Sequence, residues 1–280
     1  MCSSDLLGER PALAMPLRAE GGDLLGAIVV ADPRAADGSP RADFDASTDA
    51  GGLLHFANLL GMAIERKRAY ERMLWKIVKV VELRDPRETT AHVKRVSGIS
   101  LELFDGWAGR HGLRDLEAEF ARERLRVAST LHDVGKVGVS DLILWKPGKL
   151  DEKEYAQMKR HTVLGASCGW DAGAQEEDAR EVMMNHHQRW DGRGYPVEAV
   201  DGSPIAPLAG HDIPLFARIV ALADVYDALS SERCYKQAWH ERRVLDTIRA
   251  ESGGHFDPEL VEIFFERLDE VREIRAAHPG

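Results

Sequence analysis

Cysteine is scarce in this chain of 280 residues. Cys2, Cys168 and Cys234 are scattered and no CxxC pair occurs, which argues against a disulfide framework or a cysteine-held zinc knuckle and fits a reducing compartment. Long apolar runs are missing too. The longest, Leu24 to Ala31, falls far short of the roughly 20 residues that a membrane span needs. Residues 1–20 carry no basic segment followed by an apolar one, so no signal peptide is expected and the chain reads as cytoplasmic, without membrane contact. Positive charge is also in short supply: 37 Lys and Arg stand against 47 Asp and Glu, a formal net charge of −10. This argues against a nucleic acid polymer as partner, and any phosphate-bearing substrate must be attracted locally. The rest of the composition, 44% hydrophobic and 30% charged, is ordinary for a globular protein.

What the chain does have is a series of imidazoles and carboxylates in its last two-thirds. Glu88 and His92, the dyad His132-Asp133, His161, the pair His186-His187, and Asp224 recur among helical patterns. Such ligands, with no thiolate among them, suit a multinuclear site for hard or borderline cations, and such sites suit phosphate esters. Asp133 has two oxygens and can join two cations, while His132 caps one. Lys136, three residues on, shares that face and could meet a phosphate. Asp224 lies in the apolar run RIVALADVYDALS, where a carboxylate costs several kcal/mol unless paired or metal-bound. Asp227, one turn on, is positioned to support that site from behind.

The N-terminus reads differently. Residues 11–31 hold two short apolar runs around a Gly-Gly turn, the pattern of a β-hairpin, and residues 32–49 read as a loop. From Leu53 through Phe56, Leu60, Ala63, Lys67, Tyr70, Leu74 and Ile77 to Val81, positions step by three and four. That spacing predicts either a coiled-coil seam pairing two chains or an amphipathic helix packed on its own domain. Beyond it the pattern is helical almost throughout, with helices expected over Arg122–Leu131, Glu152–Lys159, Arg180–Asn185, Pro214–Leu229 and Pro258–Ala276. A mostly all-α bundle is expected, its site built from facing helices. The expected division is 1–48, 49–80 as a linking helix, and 81–280 as the bundle.

HDVGK, then His161, HHQRWDGRGYP, RIVALADVYDAL, SERCYK and SGGHFDP together resemble the HD-GYP family of bacterial phosphodiesterases, a branch of the HD phosphohydrolases. The resemblance runs from about Arg84 to Phe265. It implies an HD-type helical bundle that hydrolyses cyclic di-GMP to pGpG and often on to GMP, with two or three divalent ions, usually iron or manganese. It makes Glu88, His92, His132, Asp133, His161, His186, His187 and Asp224 the metal ligands, Asp133 the bridge, and Lys136 the residue at the scissile phosphate. Gly194, Tyr195 and Pro196 become the substrate loop, and Arg233 and Lys236 the phosphate and guanine contacts. The string PL…GDLLGAIVV…FD…LLHFANLLGMAIE resembles the last strands and closing helix of a GAF sensor domain. The seam over residues 53–81 predicts a homodimer, and GGDEF-type or other signalling proteins are expected partners. Glu88 four residues before His92, a spacing that puts both side chains on one helical face, is similar to the trinuclear subset of the family; the alternative is an exposed pair on a helix. Gln188 departs from the HHE of many members. Two competing functions stay open: a catalytically silent signalling module, and a phosphodiesterase for another cyclic dinucleotide such as cyclic GMP-AMP.

Overall fold

A computed structural model describes residues 12–19, 21–31, 39, 44–45, 49–85, 88–168, 173–231 and 238–279. The chain divides into two compact units, residues 1–73 and 74–280. In the first unit, β1 (Ala12–Arg18) and β2 (Leu24–Ala31) form the expected antiparallel hairpin, in register from Ala12 opposite Ala31 to Leu17 opposite Gly26. Gly22 closes the turn at φ 89°, a backbone region that glycine enters without penalty. Helix α1 (Asp49–Arg84) follows. Gly61 lies against the hairpin, where a Cβ would meet the Arg18 carbonyl. Leu17 and Ala57 are the buried apolar side chains among this unit's described residues.

Among its described residues the second unit is mainly helical, its helices joined by turns, loops and isolated bridges. Helices α2 (Thr90–His111), α3 (Asp115–Leu131), α7 (Ala174–Asn185) and α8 (Leu215–Ser230) pack together, and α10 (Pro258–Glu266) and α11 (Leu268–Ala277) cover α2. The short α6 (His161–Ala166) packs on α7, α5 (Glu152–Lys159) on α6 and α4 (Asp141–Leu144) on α5, and α9 (Glu241–Ala250) lies against α8. Start and stop signals are local. Thr89 caps α2 by accepting from the His92 N–H, and Gly112 ends that helix in the left-handed region. Asp151 and Glu154 form a capping box for α5. Asp257 caps α10 with Pro258 in its first turn.

Leu103, Phe104, Leu125, Val182, Met183, Leu222, Tyr226, Leu260 and Phe264 form one buried core. Leu74 joins it from α1, and Val78 and Val81 are buried as well. The end of the seam therefore belongs to the bundle. The expected single helix over residues 258–276 breaks instead at Arg267, which caps α10 and precedes α11. Helices α2 and α9, absent from the expected set, complete the bundle. No described helix is long and apolar enough to cross a membrane.

Candidate metal centre

The site is built at helix ends. His132 caps the C-terminus of α3, and Asp133 opens a 3-10 turn over Val134–Gly138. His161 begins α6, His186 caps α7 with His187 after it, and His92 lies in the first turn of α2. Glu88 stands one residue before the Thr89 cap, outside the helix, so the expected shared helical face does not bring it to His92; the cap's extended backbone does. Asp224 and Asp227 come from the middle of α8. Gly135 lets the 3-10 turn reach α6: a Cβ there would overlap the His161 carbonyl oxygen.

Two quartets of ligand atoms result, each within 4.8 Å of one another. One is Asp133, His161, His186 and His187; the other is Glu88, His92, His132 and Asp133. Asp133 belongs to both. Its Oδ1 lies 3.1 Å from His161 Nε2 and 3.7 Å from His186 Nε2, and its Oδ2 lies 3.2 Å from His132 Nε2. His92 Nε2 lies 3.3 Å from Glu88 Oε2 and 3.6 Å from Asp224 Oδ1. Asp224 thus borders the second quartet without entering it.

The inward atoms are those a cation would take. His132 Nδ1–H donates to the Ser129 carbonyl at 2.8 Å, His161 Nδ1–H to Met158 at 2.8 Å, and His186 Nδ1–H to Val182 at 2.9 Å. His92 Nδ1–H donates to Asp227 Oδ2 at 2.7 Å. Each ring is thereby turned so that Nε2 faces the quartets, as metal-binding histidines are held. His92 Nε2, His132 Nε2, Asp133 Oδ1 and Glu88 Oε2 are buried with no hydrogen-bond partner, a costly arrangement that a cation would relieve. The residues present fit a multinuclear centre.

Behind His92 of the second quartet, Asp227 is fully buried and also accepts from Arg95 Nε at 2.5 Å and Nη2 at 2.9 Å. Burial works against its charge, but His92 and Arg95 outweigh it and hold the carboxyl at about 2. Arg95 Nη1 in turn donates to the His278 carbonyl at the end of α11. Lys136 Nζ lies 2.5 Å from Glu88 Oε1, 2.8 Å from Asp133 Oδ2 and 3.6 Å from Asp85 Oδ2. Burial opposes its charge, yet Asp133, Glu88 and Asp85 raise its pKa well above the usual value. Burial also opposes the Asp133 carboxylate, and Lys136, His132 and His161 hold it well below the usual range. Burial alone would lower His132, but Asp133 beside it raises the imidazole to about 9. Burial lowers His186, and lowers His187 strongly with His186 adding to it. Lowering favours the neutral imidazole, the form in which histidine binds a cation.

Beside the first quartet, Tyr195 stacks on His187 at 4.7 Å between ring centroids. Gly194 allows this close fold, since a Cβ there would overlap the backbone of His187 to Arg189. The buried Gln188 donates to the Pro196 carbonyl at 3.0 Å, so it ties down the loop. Arg233 and Lys236 lie outside the described residues. Asp85, Arg95 and Gln188 were missed by sequence reasoning as members of this network. Arg95 had a signal: it stands three residues after His92, on the same side of α2.

Fold and site together define a helical bundle with carboxylate–imidazole clusters at converging helix ends. The chain belongs to the HD-domain family, whose model, described as "HD domain", matches residues 78–260. It is similar to 3′3′-cGAMP-specific phosphodiesterase 2 of Vibrio cholerae, 38% identical over 81% of this chain and 40% of that one. A cyclic di-GMP phosphodiesterase of the same organism is 39% identical over 71% of this chain and 39% of its own length. The cyclic di-GMP phosphodiesterase response regulator RpfG of Xanthomonas campestris is 35% identical over 79% of this chain and 56% of its own. The chain thus spans between 39% and 56% of these relatives.

Proposed function

We propose that this chain is a metal-dependent phosphodiesterase of the HD-GYP type that opens cyclic di-GMP to pGpG. The observation that carries the reading is the pair of quartets sharing Asp133, with unpartnered buried ligand atoms in both. Glu88, His92, His132, Asp133, His161, His186 and His187 would hold two or three cations, with Asp224 in support, and iron or manganese suits this donor set. Such ions supply Lewis acidity and bring the pKa of water down to about 7. Lys136 presents an ammonium beside Asp133 and Glu88, where it can hold a phosphoryl oxygen and stabilise its developing charge. Tyr195 keeps its proton, since burial raises its phenol, and remains a hydrogen-bond donor at the loop.

The names of relatives direct the substrate class to cyclic dinucleotides. A second substrate, 3′3′-cGAMP, is favoured by one of them. The hairpin with α1 fits the closing part of a GAF-type sensor, and the exposed apolar side chains of α1 suit a homodimer that passes a signal between partners, GGDEF-type proteins among them. Product release from cyclic di-GMP, 3′3′-cGAMP and cyclic di-AMP, with metal analysis of anaerobically purified protein, tests the reading. Asp133→Ala should abolish turnover while leaving the circular dichroism of the fold, because both quartets lose a member. Glu88→Ala should lose about one of roughly three metals and slow turnover. Undiminished turnover by Asp133→Ala at matched metal loading would sink the mechanism.

A further inference from the structure

Helix α5 buries none of its residues, yet it carries Tyr155, a large ring that stays 50% exposed. Core packing does not account for an aromatic at that position. Its neighbours do. Tyr155 meets Tyr195 edge to face, with centroids 6.5 Å apart and planes at 77°. Tyr195 in turn stacks on His187, a member of the first quartet. A line of rings therefore leads from the ligand cluster through Tyr195 to Tyr155 and solvent. Lys159, one helical turn after Tyr155, places its Nζ 5.4 Å from the Tyr155 ring and 5.7 Å from the Tyr195 ring. The two contacts hold the ammonium over the outer end of that line.

An exposed ring with a tethered cation beside it, next to a phosphodiester-cleaving centre, matches the chemistry of a nucleobase. Every base has a face that stacks on an aromatic side chain. The cation adds selectivity. A lysine ammonium can only donate. Guanine offers O6 and N7 as acceptors on one edge, whereas adenine puts an amino donor in the place of O6. We propose that Tyr155 and Lys159 form a guanine subsite beside the Tyr195 loop, the ring taking the base face and the ammonium its O6 and N7 edge. This rests on the cyclic dinucleotide reading above.

The test compares wild type, Tyr155→Ala, Tyr155→Phe and Lys159→Met on cyclic di-GMP, cyclic di-AMP and bis(p-nitrophenyl) phosphate, which has no base. Tyr155→Ala should raise KM for cyclic di-GMP, relative to KM for bis(p-nitrophenyl) phosphate, by about tenfold. Tyr155→Phe, which keeps the ring, should stay within about twofold. Lys159→Met should reduce the preference for cyclic di-GMP over cyclic di-AMP by about fivefold. If Tyr155→Ala shifts all three substrates alike, or none, and Lys159→Met leaves the purine preference unchanged, the subsite is overturned while the phosphodiesterase reading stands. A wild type that cleaves bis(p-nitrophenyl) phosphate but neither dinucleotide would overturn both.

Discussion

Asp227 shows how a single buried carboxylate can organise a centre it does not enter. It fixes the His92 tautomer through Nδ1–H and is itself clamped by both nitrogens of the Arg95 fork. Removing such a support typically costs ten- to a hundred-fold in metal affinity or activity. Asp227→Asn should therefore weaken metal retention in the Glu88–His92–His132–Asp133 quartet by about that factor, read by competition with a chelator, with the other quartet's affinity little changed. Equal weakening of both sets, or of neither, would assign Asp227 to folding alone. Asp224 and Asp227 were legible because a carboxylate inside RIVALADVYDALS needs a partner. Gln188 was legible only as a departure from a family pattern. Its role, holding the Pro196 carbonyl, depends on how the loop folds back.

At the scale of elements, helix ends do the positioning. Four imidazoles, His92, His132, His161 and His186, come from first turns or caps, where an Nδ1–H can reach a nearby main-chain or side-chain oxygen and leave Nε2 pointing inward. Helix α1 has two characters. Its last turns are part of the bundle, and Val78 and Val81 share a small cavity with Glu88, His132 and Asp133. Earlier in the helix, Leu54, Phe56, Leu59, Met62 and Tyr70 are exposed. Phe56 and Tyr70 belong to the predicted seam, and an exposed apolar stripe of this kind suits a second copy of the helix. Phe56→Glu should shift the protein toward monomer in sedimentation velocity without changing its helical content, because a charge in a dimer seam is left unpaired. A monomeric wild type would dispose of the seam, leaving α1 an ordinary surface helix.

The whole molecule's stability should report the centre's charge. In the metal-free protein His132 is raised from 6.5 to about 9, so the folded state binds this proton more tightly than the unfolded chain. That contribution is complete below pH 6.5 and is lost as pH climbs through about 9. Chelator-treated protein should therefore show a falling Tm across this window in thermal scans followed by circular dichroism. Bound cations replace the proton and require a neutral imidazole. Metal-loaded protein should accordingly melt higher and gain over the chelated form as pH rises. A Tm of the chelated protein that rises from pH 6.5 to 9 would contradict the assignment of His132 as a buried cation paired with Asp133.

The sequence by itself determined the helical class, the hairpin, the caps and the inventory of candidate ligands. Those properties are local: they follow from the period of apolar residues, from capping side chains, and from the residue types that bind hard cations. Helices α2 and α9 are absent from the expected set although their buried apolar residues step by three and four, Val93, Val96, Ile99 and Leu103 in α2 and Val244 and Ile248 in α9. Only the tertiary structure decided which of these candidate ligands come together. Asp133 reaches both quartets because Gly135 brings its turn against α6, and Glu88 meets His132 because α2 and α3 pack side by side. It also set Arg95 against Asp227 and Tyr155 against Tyr195, across 132 residues in the first case. Spacing along one element reports which face a side chain shares, whereas the distance between elements is fixed by how their buried faces interlock.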